Sequence, residues 1–314
     1  MINVTQFSHF RLGGFPETRF LKYIYFLVAM LIYMLILCAN LLLIAVICRN
    51  RSLHEPMYMF PCSLFVNELF GSTAFFPLLL DQILSDTHTV SVPLCFLQIF
   101  CLYSYVYVEF FNLTIISYDR YLAICYPLQY NSYMTFKKVS VHIAAAWLTA
   151  CLSMVCILPL TYTLRLCGNI INSIYCNNYN IVKLACSDTR LNNIFGLVYS
   201  LISIFVPLTL IFYTYMRILR VCSSGSKQTR QKAVSTCTPH LVSLFNFSFG
   251  ICFEGIQSRF EKSHLPPSVS IFLSLYFLVC QPVLNPVIYG LKMSKISVKC
   301  KSLFCSKVML IQLR

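Results

Sequence analysis

Charge is scarce in this sequence. Asp, Glu, Lys and Arg make up 11% of its 314 residues, where a soluble domain carries about 25%. The shortage argues against a chain that folds with a solvated surface and makes lipid the expected solvent. Glycine is scarce too, nine in all, and no phosphate-cradling glycine loop occurs. His54-Glu55-Pro56 has no second histidine at the spacing of a zinc-hydrolase box. Nothing therefore points to an enzyme. Tandem repeats and low-complexity segments are lacking, so one domain is expected. Met1 to Lys22 has no apolar core of signal-peptide type, and the first spanning helix is expected to direct its own insertion.

What the chain has in quantity is apolar sequence, 58% of it. A helix needs about 20 apolar residues to cross a bilayer. Seven runs qualify: Tyr23–Cys48, Met57–Leu84, Leu94–Tyr118, Val139–Tyr162, Ile194–Met216, Ser235–Ser258 and Ser268–Leu291. The expected fold is an all-α membrane protein, a seven-helix bundle over residues 23–291. Residues 1–22 precede it and a tail over 292–314 follows. Pro61, Pro77, Pro159, Pro207, Pro239, Pro282 and Pro286 are expected to break several spans, which packed membrane helices tolerate. The net charge of +14 does not mark a nucleic-acid binder, because the bases lie in short loops between apolar runs. Sixteen of the 24 bases fall on the side of the tail and eight on the other. The positive-inside bias therefore places the N-terminus outside and the tail in the cytosol.

Polar groups inside the runs are few. Glu109 lies ten residues before Asp119, about 15 Å into the bilayer, and Glu68 lies at a similar depth eleven residues beyond Met57. Asn40 and Asn285 come near the same level from spans one and seven. An isolated acid at the bilayer centre costs about 2.5–3.5 kcal/mol, so Glu68 and Glu109 need a partner. Shared protonation, bridging water or a cation such as Na+ would supply one. Of seventeen cysteines, Cys95, Cys167, Cys176 and Cys186 fall in predicted outer loops, where disulfides form. Four cysteines allow three pairings. Cys38, Cys156 and Cys252 are expected to be small buried packing residues. The tail interleaves Lys292, Lys295, Lys299 and Lys301 with apolar residues, as in a short helix lying on an anionic leaflet. Cys300 or Cys305 there is a candidate for palmitoylation.

One stretch stands out. "ISYDRYLAIC", Ile116 to Cys125, sets Asp119 beside Arg120 at the cytosolic end of an almost uncharged span. Asp119 and Arg120 are expected to latch onto another helix. The stretch resembles the third-helix signature of rhodopsin-like G-protein-coupled receptors in the form used by olfactory receptors. "LHEPMYMF" (53–60), "KAVSTCTPHL" (232–241), "PVLNPVIYG" (282–290) and the cysteine spacing that ends in "KLACSDT" resemble the other signatures of that family. They run in the family's order from about residue 40 to 291.

The resemblance implies a multi-pass receptor of the cell membrane that binds a small odorant and activates a heterotrimeric G protein of the stimulatory olfactory type, raising cyclic AMP. Asp119, Arg120 and Tyr121 would form the G-protein switch, with Asn285, Pro286 and Tyr289 as a hinge. It favours Cys95–Cys176 with Cys167–Cys186, the runner-up being Cys95–Cys186. Asn3 opens a sequon outside the membrane, while those at Asn112 and Asn246 lie within spans and should stay bare. In related receptors, positions matching Leu102, Tyr103, Val106, Tyr107, Ser248, Ile251, Gly255 and Arg259 line the odorant cavity. Arg259, about 28 Å along the helix from His240, could grip a carboxylate. The family's usual Asp of span two is Glu68 here, and Pro61 stands where it has Leu, which should perturb the first turns of span two. "HEPMY" and "NFSFGICFEG" look nearer to fish-type receptors, which implies water-borne ligands. The rival reading is a transporter or channel using Glu68 and Glu109. The paired interrupted helices and inverted repeats of such folds are not seen.

Overall fold

A computed structural model describes residues 7–15, 21–225, 227–259, 267–293, 295–300 and 302. Asn3 and Cys305 lie outside the described residues, as does the side chain of Arg259. Helix dominates. α1 (Lys22–Arg49) is followed by a 3-10 turn, Arg51–Leu53, and α2 (Pro56–Leu84). α3 (Val92–Cys125) leads through short α4 (Tyr130–Tyr133) to α5 (Phe136–Tyr162). Short α6 (Asn178–Val182) precedes the three last long helices, α7 (Arg190–Ser224), α8 (Lys227–Arg259) and α9 (Pro267–Lys292). α1, α2, α3, α5 and α7 are each long and apolar enough to cross a membrane. α8 and α9 pack beside them as the sixth and seventh long helices.

The expected runs are present but longer. α3 has 34 residues and α7 has 35, about 51 and 53 Å at 1.5 Å per residue. The prolines do not break them. α2 runs through Pro61 and Pro77, α5 through Pro159, α7 through Pro207, α8 through Pro239 and α9 through Pro282 and Pro286. Pro61 is itself buried within an intact first part of α2, so the expected perturbation there is corrected. A proline costs a hydrogen bond, and close neighbours on both sides make that tolerable in a bundle.

Large apolar side chains such as Leu31, Leu148, Phe205, Phe212 and Phe245 stand exposed on the outer faces. In water that surface would be a liability; in lipid it is the expected one. Cys38, Cys156 and Cys252 stand on it as well, which corrects their expected burial. Helices apolar all round give no periodicity from which to tell an inner from an outer cysteine.

One element had no forecast. β1 (His9–Leu12), β2 (Thr89–Ser91) and β3 (Ile170–Ile171) form a sheet in the order β2-β1-β3. β1 is antiparallel to β2, with Phe10 opposite Val90, and parallel to β3, with Leu12 opposite Ile171. Phe10 and Leu12 point inward to a small apolar core with Val90, Ile99 and Ile181. Gly14 lets this segment lie flat on the loop after α5, because a Cβ there would meet the Ser173 carbonyl carbon at 2.4 Å. Cys95 is bonded to Cys176 and Cys167 to Cys186, so sheet and loop are stapled to the start of α3.

Candidate functional site

Midway along the bundle, α2, α3, α8 and α9 meet around two fully buried acids. Glu68 Oε2 accepts from the Tyr105 hydroxyl at 2.9 Å and Oε1 from Asn285 Nδ2 at 2.5 Å. Glu109 Oε1 accepts from that same Asn285 nitrogen at 3.0 Å and from Gln281 Nε2 at 3.1 Å. Its Oε2 accepts from Asn67 Nδ2 at 2.9 Å. Asn285 Oδ1 in turn accepts from the Ser243 hydroxyl at 2.7 Å, and Asn246 Nδ2 donates to Gln281 Oε1 at 2.6 Å. Tyr105 reaches its acid because position 71 is glycine; a Cβ there would stand 2.5 Å from Tyr105 Cδ2. The acids are thus solvated by neutral amides and phenol rather than by a base, the arrangement a dry site demands of a polar group.

Of the four polar residues expected to cluster, Glu68, Glu109 and Asn285 meet directly. Asn40 stands apart and ties α1 to α9, its Nδ2 donating to the Pro282 carbonyl at 3.0 Å. Sequence reasoning missed Asn67, Gln281, Ser243 and Tyr105. The available signal was helical spacing: Gln281 stands four residues before Asn285, and Asn246 three after Ser243. Asn112 and Asn246 of the inner sequons are both buried.

At one end of the bundle, Arg120 Nη2 donates to Asp119 Oδ2, and the Tyr130 hydroxyl donates to Asp119 Oδ1 at 2.6 Å. Burial first, and the neighbouring carboxylate second, raise the Tyr130 phenol well above its ordinary value. Of the expected latch to another helix, Asp119 makes its half through Tyr130 of α4, whereas Arg120 bonds only to Asp119 among the described residues. Among the described residues no side chain of another spanning helix bonds to Arg120, and the pair closes on itself and on α4. Arg120 instead lines a cavity of about 330 Å³ with Tyr58, His240, Tyr289 and Lys292. Beside it His240 bridges two helices, through Tyr215 Oη at 2.6 Å and the Leu113 carbonyl at 2.7 Å. Tyr121 donates to the Tyr126 hydroxyl at 3.4 Å, and hydrogen bonds with Tyr121 and Arg217 lower the Tyr126 phenol. Asn285 and Tyr289 are buried, with Pro286 between them, inside a helix that shows no break.

Residues 295–300 are helical, with Ile296 buried and Cys300 half-buried. Lys295, expected to face the leaflet, reaches Glu55 Oε1 at 3.2 Å and lies over the Tyr58 ring.

At the other, disulfide-stapled end, the expected ligand residues divide. Leu102 is buried in the main core, and Val106 and Ile251 pack against it. Tyr103 turns to the loop and donates to Asn177 Oδ1 at 3.2 Å, whereas Tyr107 stacks on Tyr199 of α7 at 6.1 Å. Ser248 is half-buried, and its hydroxyl has no hydrogen-bond partner among the described residues. Gly255 is exposed, and among the described residues nothing lies within 4 Å of where a Cβ would stand. The sequence reading passed over Glu254. Its Oε1 accepts from the Tyr175 hydroxyl at 2.6 Å and from Asn177 Nδ2 at 3.5 Å. Burial, then the Glu254 charge, hold the Tyr175 phenol well above its ordinary value.

A family model described as "Olfactory receptor" matches residues 29–307. Over 304 residues the chain is 34% identical to olfactory receptor 4E2 of Homo sapiens, covering 96% of this chain and 95% of that protein. It is 32% identical over 305 residues to olfactory receptor 11A1 of Homo sapiens, with 96% and 95% covered. It is 33% identical over 303 residues to olfactory receptor 4E2 of Mus musculus, with 96% and 97% covered. The crystal structure of squid rhodopsin superposes with a TM-score of 0.74 at 16% identity, over 94% of this chain and 88% of that one.

Proposed function

The chain belongs to the olfactory receptor family of seven-helix, rhodopsin-like G-protein-coupled receptors of the membrane, and from that premise we propose how it signals. A small odorant binds in the half of the bundle nearer the disulfides, which faces outside. A heterotrimeric G protein of the stimulatory olfactory type engages the Asp119 end, which faces the cytosol, and cyclic AMP rises. The observation that carries this reading is the hydrogen-bonded network joining α2, α3, α8 and α9. Ser243–Asn285 and Gln281–Glu109 tie α8 to α9 and α9 to α3. α8 cannot swing from α9 without exchanging the first of these bonds. A ligand that prefers the exchanged arrangement shifts the population toward it.

Two carboxyls sharing one amide in a dry site need one proton or one monovalent cation between them. The residues present fit a sodium ion. Asn67 Oδ1 is buried beside the pair and accepts no hydrogen bond among the described residues, so Glu68, Glu109 and Asn67 would hold it. The ion would stabilise the closed network. Arg259 at the outer mouth is the residue of α8 that would favour carboxylic acids, and a glycan would sit on Asn3.

The test is a panel of small water-soluble odorants on cells carrying the receptor and a cyclic-AMP reporter, with uptake of each compound measured in parallel. A dose-dependent rise without uptake is expected. Uptake without any second-messenger change would favour the transporter reading instead.

A further inference from the structure

The cavity at the Asp119 end carries more positive charge than that mechanism uses. We infer that it is a site for a phosphate monoester, gripped by Arg120 from α3 and Lys292 from α9, that holds the receptor closed. The inference goes beyond the receptor reading and rests on it only for placing this end in the cytosol. There the same phosphate chemistry comes from free phosphorylated compounds and from inositol lipid headgroups.

Three observations converge. First, the space exists. Side chains of α2, α3, α8 and α9 enclose about 330 Å³, at the lower end of small-ligand sites, which run to about 300–1,000 Å³. Second, the lining is cationic. Arg120 and Lys292 line the cavity, and among the described residues no acid does. Asp119 accepts from one nitrogen of a guanidinium with five N–H donors, and Arg120 has no other partner among the described residues. Lys292 enters no ion pair among them. Lys295, the next base of the tail, is instead held by Glu55. Third, a donor is left over. Tyr289 lines the cavity, and its hydroxyl is buried with no hydrogen-bond partner among the described residues, a state that buried polar groups seldom keep. His240 contributes none, since both its ring nitrogens are engaged by Tyr215 and the Leu113 carbonyl.

A phosphate monoester suits that set. It carries about −1.5 to −2 charge at pH 7 and three acceptor oxygens. A guanidinium engages phosphate oxygens in pairs, and an ammonium acts as a point charge. Tyr289 and Lys292 are three residues apart, so they share a face of α9 opposite the Arg120 of α3. A carboxylate has one charge and two oxygens and would leave one cation unmatched. The anion ties the inner ends of α3 and α9 together and fills the space that a G protein would enter.

The experiment uses the full-length receptor in phosphatidylcholine nanodiscs and reads the thermal unfolding midpoint, which needs neither odorant nor G protein. The soluble probes are inorganic phosphate, inositol trisphosphate and acetate, at matched pH and ionic strength. Phosphatidylinositol bisphosphate built into the disc is the lipid arm, with phosphatidylserine at equal charge as its control. Binding to the folded form raises the midpoint in a dose-dependent way. Phosphate probes are expected to raise it and acetate not. Lys292→Gln, at an exposed position, should raise the concentration needed about tenfold, the loss of one charge-assisted contact. Lys292→Arg should keep the effect. General stabilisation by phosphate salts would persist in the Gln variant, which separates it from binding. Stabilisation by the inositol lipid beyond phosphatidylserine supports the site with a headgroup as its source, and stabilisation by the soluble probes alone supports it with a free anion. Acetate equal to phosphate, effects unchanged in Lys292→Gln, or no stabilisation by any phosphate probe would each overturn the inference. The comparison of phosphate with acetate is made on the unsubstituted chain, so it decides even when a variant folds poorly. A receptor that answers odorants with cyclic AMP and ignores every phosphate probe would keep the receptor reading and lose this one.

Discussion

The two ends of the bundle are built by different chemistry. At the N-terminal end a three-stranded sheet, two disulfides and a hydrogen-bonded loop close over α3 and α8. At the other end an ion pair between neighbours, one phenol and an ion pair between half-exposed Lys295 and Glu55 do the closing. The first set is covalent or cooperative and holds a shape. The second consists of single polar contacts worth about 1–3 kcal/mol each at most, which a binding partner can exchange. A switch needs that asymmetry, because a ligand offers a few kcal/mol of differential binding and no more. It can reset the weak end only when the strong end stays put.

Removing the strong end's main staple is the severest way to break the contrast. Replacing Cys95 and Cys176 together with Ser should cost about 2–5 kcal/mol and most of the folded yield. The same change at Cys167 and Cys186 should cost less. The separations are 81 and 19 residues, and chain entropy scales with the logarithm of loop length, a difference of about 1 kcal/mol. Thermal unfolding of both double variants in nanodiscs checks the order. A larger loss from the shorter loop would mean that strain or packing, not constraint, sets the value of these bonds.

Between the ends lies the acid network, and its failure should be next in size. Asn285→Leu removes the amide that Glu68 and Glu109 share and should destabilise by about 3 kcal/mol. Glu109→Gln in the same background should return part of that loss, because one buried negative charge disappears with it. Stability additive across the double variant would show that the two acids do not share Asn285 in the folded receptor.

These parts were unequally legible in the sequence. α1 could be read at once, since 26 uncharged residues from Tyr23 to Cys48 admit no other structure in lipid. Asp119 and Arg120 were legible as the only adjacent acid and base of their run. Their partner was not, because adjacency on a helix does not say which neighbour an acid faces, and Tyr130 lies on the loop helix beyond. β1 was invisible for a different reason: four residues carry little alternation, and their partners lie some 80 and 160 positions away. Gln281, Asn67 and Ser243 were passed over because an amide or hydroxyl costs lipid far less than a charge. Only packing tells which of many such groups turn inward. Glu254 was given no role, because its partners Tyr175 and Asn177 lie about 80 residues earlier in a loop with no pattern of its own.

The weak end offers the smallest structural effect and the most informative one. Tyr130→Phe deletes one hydroxyl and leaves the Asp119–Arg120 pair in place. The lost bond ends on a carboxylate, so about 1.5 kcal/mol of the closed form should go with it, close to tenfold in the ratio of open to closed receptor. Global unfolding should hardly change, since α4 is four residues at the rim with no buried side chain. The ligand-independent signal, normalised to receptor at the cell surface, should therefore rise severalfold while the unfolding midpoint moves little. A midpoint that falls as far as in Asn285→Leu would place Tyr130 among the supports of the fold. A signal that does not move would leave Arg120 held by Asp119 alone, and the two ends would then differ in strength without differing in role.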